Sequence, residues 1–305
     1  MATTFSPFTF RVPATTANLG PGFGVLGLAL DRWIEFTVDP ADETVVTRNE
    51  EVTKVLDARH DPVVRGLRAA GDRFGIKLPP ALAIDVRIEV PRGCGFGTNT
   101  GELVGGIQMA CRFAKEAPPL DARLDLLVEI GGDRAHGAAG LRGGLTATVP
   151  LRRTGGTDHW HLLSLPLSPL WRFVVVAPAV ALGTADVHRV VPASVPNSVA
   201  QDTAGRLVGL IEALARGDIA LLHDCLHDET HVPYRLRLAR GMAEAVTAGL
   251  AAGAAGVTIS GHGPALIALG ISDSDAHRIA DAMGEAFRAA GVAARAEVLH
   301  AATAF

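Results

Sequence analysis

Three glycine-rich turns, each at the end of a run that reads as strand, constrain this chain more than any other feature. The first lies in RVPATTANLGPGFGVLGLALD, residues 11–31, where Pro13, Pro21 and the glycines at 20, 22, 24 and 27 interrupt an otherwise apolar segment. The second, PRGCGFGTNTGEL (91–103), follows the alternating run ALAIDVRIEV (81–90) and opens a helical pattern that starts near Thr98 or Asn99. The third is ISGHGPALIAL (259–269). A glycine turn that delivers backbone amides to a helix N-terminus is a ready anion site, because unpaired N–H groups and the positive end of the helix dipole converge there. The second turn carries neither the dinucleotide fingerprint in a βαβ unit nor the Lys-Ser/Thr ending of a Walker loop. Phosphate is the natural ligand for such a turn, and a plain loop is the alternative.

Around these turns the pattern is mixed. Alternation in FTFRV (8–12), WIEFTV (33–38) and 81–90 predicts half-buried strands. DPVVRGLRAAGDRFGI (61–76) predicts a helix capped by Asp61 with Pro62 in its first turn. The proline-bearing stretch SLPLSPLWRF (164–173) marks a crossing between two domains, 1–165 and 166–305. Beyond it, FVVVAP reads as a buried strand, 198–217 as a helix stopped by glycine, and Asp218 as the cap of a helical run through residue 231. Residues 234–253 read as one helix, GVTISG as a strand, and 275–291 as a helix.

Composition excludes several classes. With 305 residues, 48% hydrophobic, the chain fills one large or two modest globular domains. Its 28 basic and 32 acidic residues give a net charge of −4, which offers no basic face to nucleic acid or to an anionic membrane. Cys94, Cys111 and Cys225 are isolated, as reduced cytosolic thiols are; Cys111 and Cys225 read as small buried hydrophobes. No leader of the secretory type is visible, and the apolar run 173–182 is too short to span a bilayer. A cytoplasmic protein handling a small molecule is expected.

Together the three turns are far more specific than any one alone. Pro13 to Gly27 follows P-A-[ST]-[ST]-A-N-[LM]-G-x-G-F-D-x-[LM]-G at nearly every position. Pro91, Gly95 and Gly97 follow P-x-x-x-G-[LM]-G-S-S-A, and Ser260, Gly261, Gly263 and Pro264 follow S-G-S-G-P-[TS]. LHDETHVPYR (226–235) and APAVALGTADVHRVVP (177–192) match two intervening segments. The sequence resembles the GHMP kinases, and within them the homoserine kinase family, over essentially its whole length. The resemblance implies an α+β, two-domain fold of the GHMP kinase type, whose N-terminal domain cradles nucleotide phosphates, with the active cleft between the domains. It implies ATP and magnesium, with Gly95, Gly97, Thr98 and Asn99 on the cofactor. Asn18, Thr184, His188 and Arg235 then face a small-molecule substrate, and a homodimer is implied as well.

The departures from the pattern fall where the chemistry belongs. The two serines of the second motif are Thr98 and Asn99; threonine keeps a hydroxyl for magnesium or phosphate, and asparagine offers an amide. Glu102 then falls in the first helical turn, where it complements the dipole or, alternatively, binds magnesium or repels a triphosphate. Glu129 is the candidate metal carboxylate beside Thr98, with Asp133 second. Counting back from Gly143 and Gly144 puts Ala135 and His136 where the family has its Asp-Asn pair. His136 is either a general base working near neutral pH or a structurally bonded histidine. Gly24 replaces the aspartate that meets the substrate ammonium in the family, and His188 replaces an arginine that helps hold the carboxylate. Arg235, the other carboxylate partner, is retained. His262 replaces the middle serine of the third motif and is a third catalytic candidate.

The leading expectation is an ATP- and magnesium-dependent phosphotransferase acting on a small hydroxy compound, a carboxylate other than homoserine. The alternatives are acid–base or metal chemistry without ATP on the same scaffold, and a non-catalytic ligand-binding relative.

Overall fold

The computed structural model describes residues 5–49, 51–54, 60–152, 158–180, 182–183, 187 and 189–302. The first glycine-rich stretch begins as strand β1 (Phe8–Ala17), turns through a short 3-10 segment (Gly20–Gly22), and returns as β2 (Leu26–Pro40), antiparallel to β1. Proline has no N–H for a ladder, and the register shifts at Pro13/Ala14, where a bulge absorbs it. The remaining strands of this sheet are β3 (Val45–Arg48), β4 (Glu51–Lys54), β5 (Leu82–Ile88), β6 (Leu145–Arg152) and β7 (Asp158–Leu165). They run in the order β4-β3-β5-β2-β6-β7, with β1 paired to β2 off this path.

Helices α1 (Pro62–Phe74), α2 (Thr98–Arg112), α3 (Leu120–Glu129) and α4 (Arg134–Arg142) belong to the same half. Asp61 caps α1 by accepting the Val63 and Val64 amides, as the sequence predicts, and Gly75 ends it in the left-handed region, one residue short of the predicted run. Val12, Ile34, Phe36 and Val38 of the sheet pack with Val63, Val64, Leu67, Leu103, Val104 and Ile107 of α1 and α2 in one apolar cluster. The edge strand β7 is covered by α3. Asp125 and Asp121 accept the Trp160 and Leu162 amides at 2.8 and 2.9 Å, and pair with His159 and His161.

A smaller antiparallel sheet, ordered β11-β8-β10-β9, comprises β8 (Arg172–Pro178), β9 (Gly256–Ile259), β10 (Leu266–Gly270) and β11 (Ala294–Leu299). Burial of both faces explains why β8 is apolar from Phe173 onward. Val174 and Val176 face the helices α8 (Met242–Ala251) and α9 (Asp273–Ala289). Phe173, Val175 and Ala177 share a core with Leu26, Leu28 and Leu30 of β2. The remaining helices are α5 (Asn197–Arg216), α6 (Ile219–Cys225) and α7 (Val232–Arg235).

Two helical expectations need correction. The run capped by Asp218 stops at Cys225 rather than residue 231, because Asp228 turns back to accept the amides of Thr230, His231 and Val232. Residues 234–253 are not one helix: α7 ends at Arg235, and Gly241 at φ +84° starts α8 afresh. Among the described residues no helix is long and apolar enough to cross a membrane. Cys94 is buried; Cys111 and Cys225 are partly buried against apolar clusters.

Candidate active site

The second and third glycine turns meet at a cavity of about 300 Å³, whose lining includes Gly95, Gly97, Thr98, Asn99, Asp133, His136 and His262. Gly95 and Gly97 adopt φ of +96° and +65°. A Cβ on Gly95 would lie 2.2 Å from the Ser260 carbonyl oxygen, and one on Gly97 would lie 2.4 Å from the Thr15 hydroxyl and 2.5 Å from His136 Nδ1. Only glycine fits either position. The carbonyls of this turn are engaged by the protein: the Thr15 amide donates to Phe96 and the Ala265 amide to Cys94, both at 3.1 Å, and the Ser260 hydroxyl donates to Gly95 at 2.8 Å. Among the described residues the N–H groups of this turn take no backbone acceptor, and they stand at the start of the 15-residue helix α2, a fit for phosphate oxygens.

Asp133 caps α4. Its Oδ1 accepts the His136 amide at 2.9 Å, its own amide donates to the Thr100 hydroxyl at 3.1 Å, and its Oδ2 lies 3.9 Å from His262 Nε2. Burial pushes the Asp133 carboxyl up, but the His136 imidazole, the backbone amides of His136 and Ala135, and the His262 imidazole outweigh it and leave it below the ordinary range. His136 is buried, with Nδ1 2.8 Å from the Thr15 hydroxyl and Nε2 facing Gly261, where a Cβ would come within 2.5 Å. Burial lowers its pKa against the pull of Asp133, so the ring is neutral near pH 7 and able to take up a proton.

Next to this cavity lies a second wall. Asn18, buried at φ +62°, accepts the Gly24 amide at 2.7 Å and donates to the Gly261 carbonyl at 3.0 Å, tying the first turn to the third. Arg235 is 1% exposed, and none of its three guanidinium nitrogens has a hydrogen-bond partner among the described residues. Its guanidinium carbon lies 4.7 Å from the centroid of the Phe23 ring. Phe23 stacks in turn on the buried His231 at 4.4 Å, which bonds the Gly20 carbonyl through Nε2 and leaves Nδ1 without a partner among the described residues. Burial lowers the Arg235 pKa to about 10, although Asp228 and Asp133 oppose the shift. A buried guanidinium with no acceptor is costly on its own, and an anion supplies what it lacks.

The structure thus brings Gly95, Gly97, Thr98, Asn99, His136 and His262 around one cavity, with Asn18 and Arg235 in the adjoining wall. Glu129 is not brought there: it is exposed at the C-terminus of α3, and Asp133, four residues on, lines the cavity. Glu102 is the fifth residue of α2, past its first turn. It is fully buried, and its Oε1 accepts Arg48 Nε at 2.7 Å and Arg92 Nη2 at 2.6 Å. It lies past the first turn and is committed to these two arginines. Thr184 and His188 lie outside the described residues. Thr15, Phe23 and His231 escape the sequence reading, because nothing in local spacing reveals contacts made across 121 or 211 positions.

A homoserine kinase of Synechococcus sp. (strain CC9311) is 34% identical to this chain over 298 residues, covering 96% of this chain and 93% of its own length. The chain belongs to the homoserine kinase family of the GHMP kinases. The family model for the GHMP kinase C-terminal region matches residues 210–289. The crystal structure of a homoserine kinase from Cytophaga hutchinsonii superposes with a TM-score of 0.85 at 24% identity, covering 100% of this chain and 98% of its own. Phosphomevalonate kinase of Streptococcus pneumoniae, solved with phosphomevalonate and AMPPNP, gives a TM-score of 0.71 at 11% identity over 96% of this chain and 100% of its own. GHMP kinases use ATP and magnesium in general, and a kinase-like enzyme of α+β fold follows from these relationships.

Proposed function

We propose that this GHMP kinase transfers a phosphoryl group from ATP to the hydroxyl of a small carboxylic acid other than homoserine. The observation that carries this reading is Arg235, a buried guanidinium without a hydrogen-bond partner among the described residues, beside a glycine cradle suited to phosphate. The α2 amides and the Thr98 hydroxyl would hold the ATP phosphates, and Asp133 together with Thr98 would hold magnesium. Magnesium bound there neutralises charge on the transferring phosphoryl group.

Arg235 binds and orients the acceptor carboxylate, so the acceptor hydroxyl is presented rather than captured by chance. His136, neutral and desolvated, takes the hydroxyl proton, and the Asp133 carboxylate stabilises the imidazolium that results. Asn18 keeps the Gly24 and Gly261 segments in register around that hydroxyl. The absence of a carboxylate at Gly24 argues against an acceptor bearing an ammonium group there.

Isothermal titration of ATP into the protein with and without magnesium tests the cofactor half of this reading, and ADP release over a panel of hydroxy acids tests the acceptor half. Metal-dependent binding in the micromolar range is expected. No nucleotide binding in either condition would overturn the phosphotransferase reading.

A further inference from the structure

The wall formed by Phe23 and Gly24 carries two guanidinium groups, and neither pairs with a carboxylate among the described residues. Arg235 lies over Phe23. One residue on, Arg134 donates from Nε to the Gly24 carbonyl at 3.0 Å, and its Nη2 bonds the same oxygen. The face of the Arg134 guanidinium rests on the Trp160 indole, 3.7 Å from the ring centroid. Trp160 is itself fixed, since its backbone amide donates to Asp125 at 2.8 Å. Held by a carbonyl at one edge and an indole beneath, this cation is preorganised.

The space beside it is open. A Cβ built on Gly24 would meet a single atom within 4 Å, Arg134 Nη2 at 3.4 Å. The hollow over Gly24 therefore has a cation as its nearest wall. It adjoins the reacting groups, because Asn18 links the Gly24 amide to the Gly261 carbonyl and Gly261 packs on His136. Asp133 is close enough to act on both Arg134 and Arg235, and it pairs with neither.

We infer that Arg134 is a specificity-determining residue of the acceptor site: it turns away acceptors that place an ammonium group over Gly24 and admits hydroxy acids whose corresponding end is uncharged or anionic. This rests on the reading that the acceptor carboxylate sits on Arg235. Two like charges brought together in a sheltered pocket repel strongly, and rejection of the wrong ligand by charge is a common device of specific sites.

Titration calorimetry on the full chain tests the inference with two probes, 4-hydroxybutanoate and homoserine, which differ by the ammonium group alone. The wild-type protein should bind 4-hydroxybutanoate on the order of tenfold more tightly. Arg134→Gln should narrow that gap to about threefold or less, Arg134→Lys should keep it, and Arg235→Gln should weaken both probes alike. A gap unchanged in folded Arg134→Gln overturns the inference, as does equal or tighter binding of homoserine by the wild type, or binding of neither probe. Should Arg134→Gln fail to fold, the wild-type preference decides alone. ADP release in the same samples judges the phosphotransferase reading separately, because probe binding requires no turnover.

Discussion

At the scale of single residues, the site is built from groups held in states that water would not favour. His136 is neutral because it is buried, so its role as a base predicts a specific profile: the acid limb of kcat should fall at a pH below the ordinary histidine value of about 6.5. His136→Asn should lower kcat by about 10²-fold, remove that limb, and leave the acceptor KM little changed, as a pH–rate series would register. Arg235 predicts the opposite pairing of effects. Because its buried guanidinium has no hydrogen-bond partner among the described residues, Arg235→Met should raise stability by on the order of 1 kcal/mol in thermal unfolding while removing about 1.5–3 kcal/mol of acceptor binding. The sequence made Arg235, Thr98 and the glycines legible through motif spacing. It pointed to Glu129 for the metal because counting along a helix gives no direction, whereas the side chain that lines the cavity, Asp133, is the one that caps the next helix.

At the scale of elements, what was legible had a local cause. Asp61 with Pro62, and Gly217, are start and stop signals that act within four residues, and each bounds its helix as expected. Strands β3, β4, β7 and β11 carry little hydrophobic period of their own and went unread, since their pairing partners rather than their own pattern define them. Helix α2 shows the same limit. Its N-terminus was readable from the glycine turn, but the use of Glu102 was not, because Arg48 comes from β3, 54 positions away. Arg48 also reaches Asp61 at 2.6 Å, so one cation joins the α1 cap to the interior of α2. Removing one member of such a buried group strands the others. Glu102→Ala should destabilise the fold by about 3–5 kcal/mol in denaturant titration, more than loss of an exposed pair such as Arg11–Glu35.

At the scale of the whole molecule, one apolar cluster joins β2 of the larger sheet to β8, β10 and α5 of the smaller half, so neither sheet has a core of its own on that side. Unfolding should therefore be a single transition by calorimetry and circular dichroism, with equal calorimetric and van't Hoff enthalpies. Its pH dependence follows from the buried imidazoles. Burial depresses the pKa of both His136 and His231, and the unfolded chain binds protons first as pH falls below about 6.5. Stability is thus full above that value and declines below it, with a further loss below about 3.9, where the unfolded forms of Asp133 and Asp228, both depressed in the fold, take up protons. Melting temperatures should hold steady from pH 8 to 7 and drop from pH 6 to 5. The helix laid along β7 bears on assembly: Asp121 and Asp125 occupy amides that another chain's strand would otherwise bond, so that rim of the larger sheet is closed to intermolecular sheet extension. Among the strands of the main path, a filament or strand-swapped dimer propagating through this sheet is left with β4, the opposite rim, so a single added lysine on β4 would improve resistance to aggregation.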